Sequence, residues 1–181
     1  MLHLMVTCLL TLILLLISLY GSAFSQPPGT SKDVSDISFN SFKRAYNERD
    51  IDRIKKIIDA GFAVNMQGNN GKTALTYVAD NLRNETFSIS VSELLIGKGA
   101  DVNMQDAMGR IPIIYAVEHE NKALAEFLLD KGTDVALHCS SYNMPIVFVP
   151  FIRQKPELAY LFVAKCKDVN IRDSIGNTPL S

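Results

Sequence analysis

Val64-Asn65-Met66-Gln67 returns unchanged as Val102-Asn103-Met104-Gln105. Asp101-Val102-Asn103 returns as Asp168-Val169-Asn170, and in weaker form as Asp134-Val135-Ala136. Apolar segments that end in glycine stand ahead of the first three: Ile57-Ile58-Asp59-Ala60-Gly61, Leu94-Leu95-Ile96-Gly97-Lys98-Gly99 and Phe127-Leu128-Leu129-Asp130-Lys131-Gly132. Behind the copies come Gly71-Lys72-Thr73-Ala74-Leu75, Gly109-Arg110-Ile111-Pro112-Ile113 and Gly176-Asn177-Thr178-Pro179-Leu180. Pro112 and Pro145 stand 33 positions apart, as do Asp106 and Cys139. A fixed period of this length means stacked supersecondary units rather than one closed globule, because no single unit can bury its own apolar face.

Each copy carries the chemistry of a turn and two helices. Thr73 and Thr178 suit helix N-caps, where a hydroxyl accepts from a free backbone N–H of the first turn. Pro112, Pro145 and Pro179 suit a first helical turn, where the missing N–H costs nothing. Gly61, Gly99 and Gly132 suit the left-handed residue that stops a helix, and Gly71, Gly109 and Gly176 a tight turn. Ser90 with Glu93 reads as a capping box.

These residues resemble the ankyrin repeat, whose unit is about 33 residues, a turn and two helices with a Thr-Pro-Leu-His signature. The resemblance runs from about Phe39 to the C-terminus, and Gly99-Ala100-Asp101-Val102-Asn103 and Gly176-Asn177-Thr178-Pro179-Leu180 carry it most specifically. It implies an all-α solenoid of stacked helix-turn-helix units with β-turn fingers. The units divide as 38–67, 68–105, 106–138, 139–172 and 173–181, the last incomplete. Helices are predicted at Phe39–Asn47 and Ile51–Ala60, Ala74–Asn81 and Val91–Lys98, Pro112–Glu118 and Lys122–Lys131, and Pro145–Ile152 and Pro156–Lys165. The core is expected to hold Phe42, Ala45, Ile54, Ile57, Ile58, Leu75, Ala79, Leu94, Leu95, Ile113, Ala116, Leu124, Leu128, Leu129, Ile146, Leu158, Leu161 and Phe162.

The pattern breaks in places that carry expectations of their own. Gly71 to Gly109 spans 38 positions, and the surplus falls at Leu82–Ser90, a loop expected to be either a tolerated insertion or a specificity element. The fourth unit has Tyr142-Asn143 in place of the turn glycine, with Asn143 able to go left-handed. Its Pro150 should shorten or kink the first helix, which makes this unit the least regular. The signature histidine is replaced by Thr76, Ile114, Val147 and Ser181, so the hydrogen bonding at helix starts should be weaker than in regular arrays. The polar first unit suits a cap. The chain ends just inside a fifth unit, so the apolar face of the fourth should be poorly covered, through truncation or for a partner.

Ahead of the repeats, Met1–Ser25 holds no Asp, Glu, Lys or Arg, and Leu4–Tyr20 is almost wholly apolar. Ala23 and Ser25 give a small-x-small cleavage pattern, so residues 1–25 read as a targeting helix, either a cleaved signal peptide or an uncleaved anchor. Residues 26–37, rich in Pro, Gly, Ser and Asp, read as a linker. The expected location is therefore secreted or periplasmic, with membrane anchoring through residues 1–25 as the alternative.

Composition narrows the function. Eighteen Lys and Arg against nineteen Asp and Glu leave no basic excess for nucleic acid. No phosphate loop, Gly-x-Ser-x-Gly or dinucleotide fingerprint occurs. His3, His119 and His138 stand apart from any Cys or carboxylate at ligand spacing. Neither a catalytic residue, a metal nor a cofactor is expected, and the chain reads as a non-enzyme. Cys139 and Cys166 could pair in an oxidising compartment, or remain free, half-buried thiols. Asn84-Glu85-Thr86 is a glycosylation triplet only in a eukaryotic secretory route.

The resemblance implies that fingers and first helices line a concave groove where another protein binds. Matched residue by residue, the contacts are Asn69, Asn70, Lys72, Asp80 and Asn81 in the second unit. In the third they are Ala107, Met108, Arg110, Glu118 and His119, and in the fourth Ser140, Ser141, Tyr142 and Asn143. Arg110, Met108 and Tyr142 are the expected anchors, since interface energy concentrates in a few such residues. A monomer acting as an interaction module is the expectation, with a membrane-tethered domain or an inhibitor of one exported enzyme as narrower versions.

Overall fold

In the computed structural model residues 37–82 and 84–180 are described. The leader of residues 1–25, most of the linker, and Ser181 at the fourth signature-histidine position lie outside them. Four helix pairs follow one another: α1 (Phe39–Asn47) with α2 (Ile51–Asp59), α3 (Ala74–Asp80) with α4 (Glu85–Gly97), α5 (Pro112–Glu118) with α6 (Lys122–Asp130), and α7 (Val149–Ile152) with α8 (Pro156–Lys165). First helices stack on first helices in the order α1, α3, α5, α7, and second helices in the order α2, α4, α6, α8. This is the layered core that a periodic apolar pattern requires. Among the described residues no helix is long and apolar enough to cross a membrane.

Local chemistry sets the helix ends. Side chains of Ser38, Asp50, Thr73, Asn84 and Asn121 each accept from a backbone N–H of the first turn that follows them. Pro112 opens α5 and Pro156 opens α8. Gly61, Gly99 and Gly132 stop α2, α4 and α6 at φ of +102°, +89° and +93°. The core takes sixteen of the eighteen expected side chains, leaving Leu94 and Leu161 partly buried at its margin.

The surplus residues of the second unit do not form a loop. Asn84 accepts from the Phe87 N–H at 3.0 Å, so α4 starts at Glu85, six residues before the predicted Val91. The Ser90–Glu93 capping box is consequently absent: Ser90 sits inside α4 and its hydroxyl donates to the Thr86 carbonyl. Phe87 turns inward against Tyr46, ring centroids 5.5 Å apart, and Ser88 is buried beneath them. The Tyr46 hydroxyl lies 2.8 Å from Ser88 Oγ and donates to the Asn81 carbonyl at 3.0 Å, tying the first unit to the extended helix of the second.

The fourth unit is irregular, and its prolines account for that. In place of a helix from Pro145, a short hairpin of β1 (His138–Cys139) and β2 (Met144–Pro145) leads into a 3-10 turn at Ile146–Phe148 and the four-residue α7. Pro150 cannot donate to the preceding turn, so the helix begins late and ends early. Asn143 turns the hairpin at φ +52°. Cys139 is fully buried there and Cys166 half-buried; both are free thiols. On its outward side Phe151, Tyr160 and Leu180 border an apolar groove of about 490 Å³, with Tyr160 79% exposed. Pro179 is buried against this groove, and a helix starting at Thr178 would run beyond the described residues.

Candidate functional site

The face built from fingers and first helices begins with an aspartate in a turn. In the third finger Asp106 Oδ1 accepts from the N–H groups of Met108 and Arg110 at 2.8 and 3.0 Å. The fifth finger repeats this, with Asp173 Oδ1 accepting from Ile175 and Asn177 at 3.0 and 2.8 Å. Such Asx turns let glycine close the loop at φ +70° (Gly109) and +89° (Gly176). These backbone amides lower the Asp173 carboxyl against the desolvation that would raise it.

Fingers are bonded one to the next. The Ala107 N–H donates to the Asn70 carbonyl at 3.0 Å, and the Ser141 N–H to the Met108 carbonyl at 3.1 Å. Gln67 Nε2 reaches the Gln105 carbonyl at 2.9 Å, and Gln105 Nε2 the His138 carbonyl at 3.0 Å, so the repeated glutamine is a ladder rung. Asn69, Asn70, Ala107, Met108, Ser140, Ser141 and Asn143 project outward, all exposed and none charged. Met108 is 54% exposed.

Behind this neutral ridge the charges are paired. Lys72 Nζ lies 2.7 Å from Asp80 Oδ2, and at the equivalent positions of the next unit Arg110 NH1 lies 3.6 Å from Glu118 Oε2. His119 Nε2 stands 3.6 Å from Asp80, and Arg110 Nε 3.5 Å from Asp106. The Tyr142 hydroxyl donates to Glu118 at 2.8 Å. Burial and that bond push the Tyr142 hydroxyl up to about 12. The Tyr115 hydroxyl donates to Asp106, and its buried ring lies under both Lys72 and Arg110, at 4.7 and 4.4 Å from centroid. Burial first, then Asp106, raises the Tyr115 hydroxyl far above its ordinary range. Desolvation likewise raises the Cys139 thiol, which keeps it neutral and a poor nucleophile.

The fourteen residues expected from the sequence therefore separate into two groups and one helix cap. Seven form the exposed ridge. Lys72, Asp80, Arg110, Glu118, His119 and Tyr142 meet behind it, and Asn81 caps α3 by donating to the Tyr77 carbonyl at 3.0 Å. Asp106 and Tyr115, which organise the network, went unselected by sequence reasoning. Their one available signal was the Asp-x-x-Gly spacing shared by Asp106–Gly109 and Asp173–Gly176. Arg110, one of the expected anchors, has a side chain only 17% exposed that lies beside Asp106, Glu118 and the Tyr115 ring. Its charge completes an internal network, because a cation beside a buried carboxylate cannot be spared.

No curated protein gives a significant match to the chain. The family model described as "Ankyrin repeats (3 copies)" matches residues 42–139, more than half of the sequence. Stacked helix pairs, bonded fingers and left-handed glycine stops fill that same span, and the chain belongs to the ankyrin-repeat family.

Proposed function

We propose that this chain is an exported protein-interaction module that binds another protein along its finger ridge. Ankyrin repeats generally serve as protein-interaction modules, and the observation supporting this location is the contrast on one face. The tips are uncharged and fastened to one another, while the charges behind them are paired within the molecule. A rigid neutral ridge loses little freedom on binding and needs no ion pair broken to receive a partner. Met108 is the apolar anchor, a flexible side chain suited to an adaptable contact. Amide and hydroxyl groups of Asn69, Asn70, Ser140 and Ser141 supply hydrogen bonds around it. Export rests on residues 1–25, and Gln26 as the first residue of the mature protein is the expected result of N-terminal sequencing. An intact Met1 favours a membrane-tethered module instead, for which the uncharged, almost wholly apolar stretch Leu4–Tyr20 argues.

Met108→Glu should weaken binding of the protein that co-purifies with the wild-type chain by at least about tenfold, the effect of losing one interface anchor. Glu126→Lys, on the exposed side of α6, should leave binding unchanged. Calorimetric titration of both variants checks this, and an unaltered Met108→Glu affinity removes the ridge as the binding surface.

A further inference from the structure

The repeated Asp-Val-Asn has two structural jobs. Its aspartate caps its own turn: Asp101 accepts from Asn103 N–H, Asp134 from Ala136 N–H and Asp168 from Asn170 N–H. Its asparagine fastens one unit to the next. Asn65 Nδ2 donates to the Gly99 carbonyl at 2.9 Å while its Oδ1 accepts from Asp101 N–H at 2.8 Å. Asn103 repeats both bonds, to the Gly132 carbonyl at 3.3 Å and from Asp134 N–H at 2.8 Å. The next position is Ala136, which has no amide to offer.

Other features fail at the same seam. Cys166 stands where the earlier units have a glycine stop, and its backbone is extended at φ −70°, ψ 127°. A cleft of about 280 Å³ opens there, between Gly132–Ala136 on one side and Lys165–Asp168 on the other. The family match stops at Cys139, where this unit begins. What spans the seam on the outer face is charge: Lys122–Glu157 at 3.2 Å, Lys165–Asp130 at 2.6 Å, and Lys155–Glu120. Each pair has at least one partner more than half exposed. Exposed pairs contribute little and are screened by salt, whereas amide–backbone bonds of the staple are not.

We propose that the seam between the third and fourth units is a salt-sensitive hinge, at which α7, α8 and the fifth finger open from α5 and α6 as one body. Repeat arrays come apart at their weakest interface, since stability is a sum of unit and nearest-neighbour terms. Here that interface lacks the staple and keeps only screened charges on its outer face, whereas the first seam has both the Asn65 staple and the equivalent Lys98–Asp59 pair.

Hydrogen exchange of the full chain, read by mass spectrometry, tests this. Amides of α8 should exchange at least about tenfold faster than those of α5. They should also exchange faster than those of α2, in the first described unit, which is held by the Asn65 staple. Raising NaCl from 0.05 to 0.5 M should speed α8 about threefold further and leave α3 and α5 unchanged. Ala136→Asn should slow α8 about tenfold, and Glu120→Gln should speed it. A common rate for α5 and α8, α2 opening as readily as α8, or salt and both variants leaving α8 unmoved, overturns the proposal.

Discussion

Replacing Asp106 with alanine lowers the stability of the folded chain by about 3–5 kcal/mol, the cost of removing one partner from a buried charged pair. Three donors lose their acceptor at once: the Met108 and Arg110 N–H groups and the Tyr115 hydroxyl. The Tyr115 hydroxyl is enclosed, so water cannot easily replace the carboxylate, and Arg110 is left with Glu118 and the Tyr115 ring. For a chain of this size the melting temperature should fall by about 10 °C, followed by helical circular dichroism. Asp106→Asn retains an acceptor for the turn and loses the charge, so it should fall between the two. Equal melting of wild type and Asp106→Ala would show that the turn and the Tyr115 ring need no carboxylate.

The second large effect is expected at Gly71, where space and backbone conformation act together. Its φ of +71° is left-handed, and a Cβ there would lie 2.6 Å from the Ala107 backbone nitrogen. The left-handed conformation costs a non-glycine residue roughly 1–2 kcal/mol. Overpacking against an immovable backbone adds about 1–3 kcal/mol. Gly71→Ala should therefore destabilise by about 3 kcal/mol and break the Ala107–Asn70 bond that joins the second and third fingers. Gly61 is the control: its φ is +102°, with nothing within 4 Å of the added Cβ. Gly61→Ala should bear only the conformational part, about 1 kcal/mol. Equal denaturation midpoints for the two variants would mean that the fingers do not meet at Ala107.

The sequence made the period, the stops and most helices legible because these follow from local chemistry. Gly61, Gly99 and Gly132 stop helices through their own backbone freedom, and Pro112–Glu118 and Pro156–Lys165 have the predicted bounds. The start of α4 was obscured because two caps competed. Ser90 with Glu93 is a good local signal, but Asn84 is an alternative whose longer helix buries Phe87 against Tyr46, a contact 41 residues away in sequence that no local pattern contains. The site divides in the same way. Finger tips such as Met108 follow from turn position alone. The commitment of Arg110 depends on Asp106, Tyr115 and Glu118 converging from a turn and from the middle and end of one helix, which spacing alone does not reveal. The Asn staple was visible only as a repeated letter. Its purpose, and its loss at Ala136, required the position of the neighbouring unit.

The ridge as binding surface is tested most directly by photo-crosslinking in the native cell, with a benzophenone amino acid placed at position 108 in one strain and at position 126 in another. Both side chains are exposed, one at a finger tip and the other on the outer side of α6. The expected result is one protein captured through position 108 and none through 126. Capture from 126 alone would place the interface on the outer helices and contradict the reading of the fingers as the recognition surface.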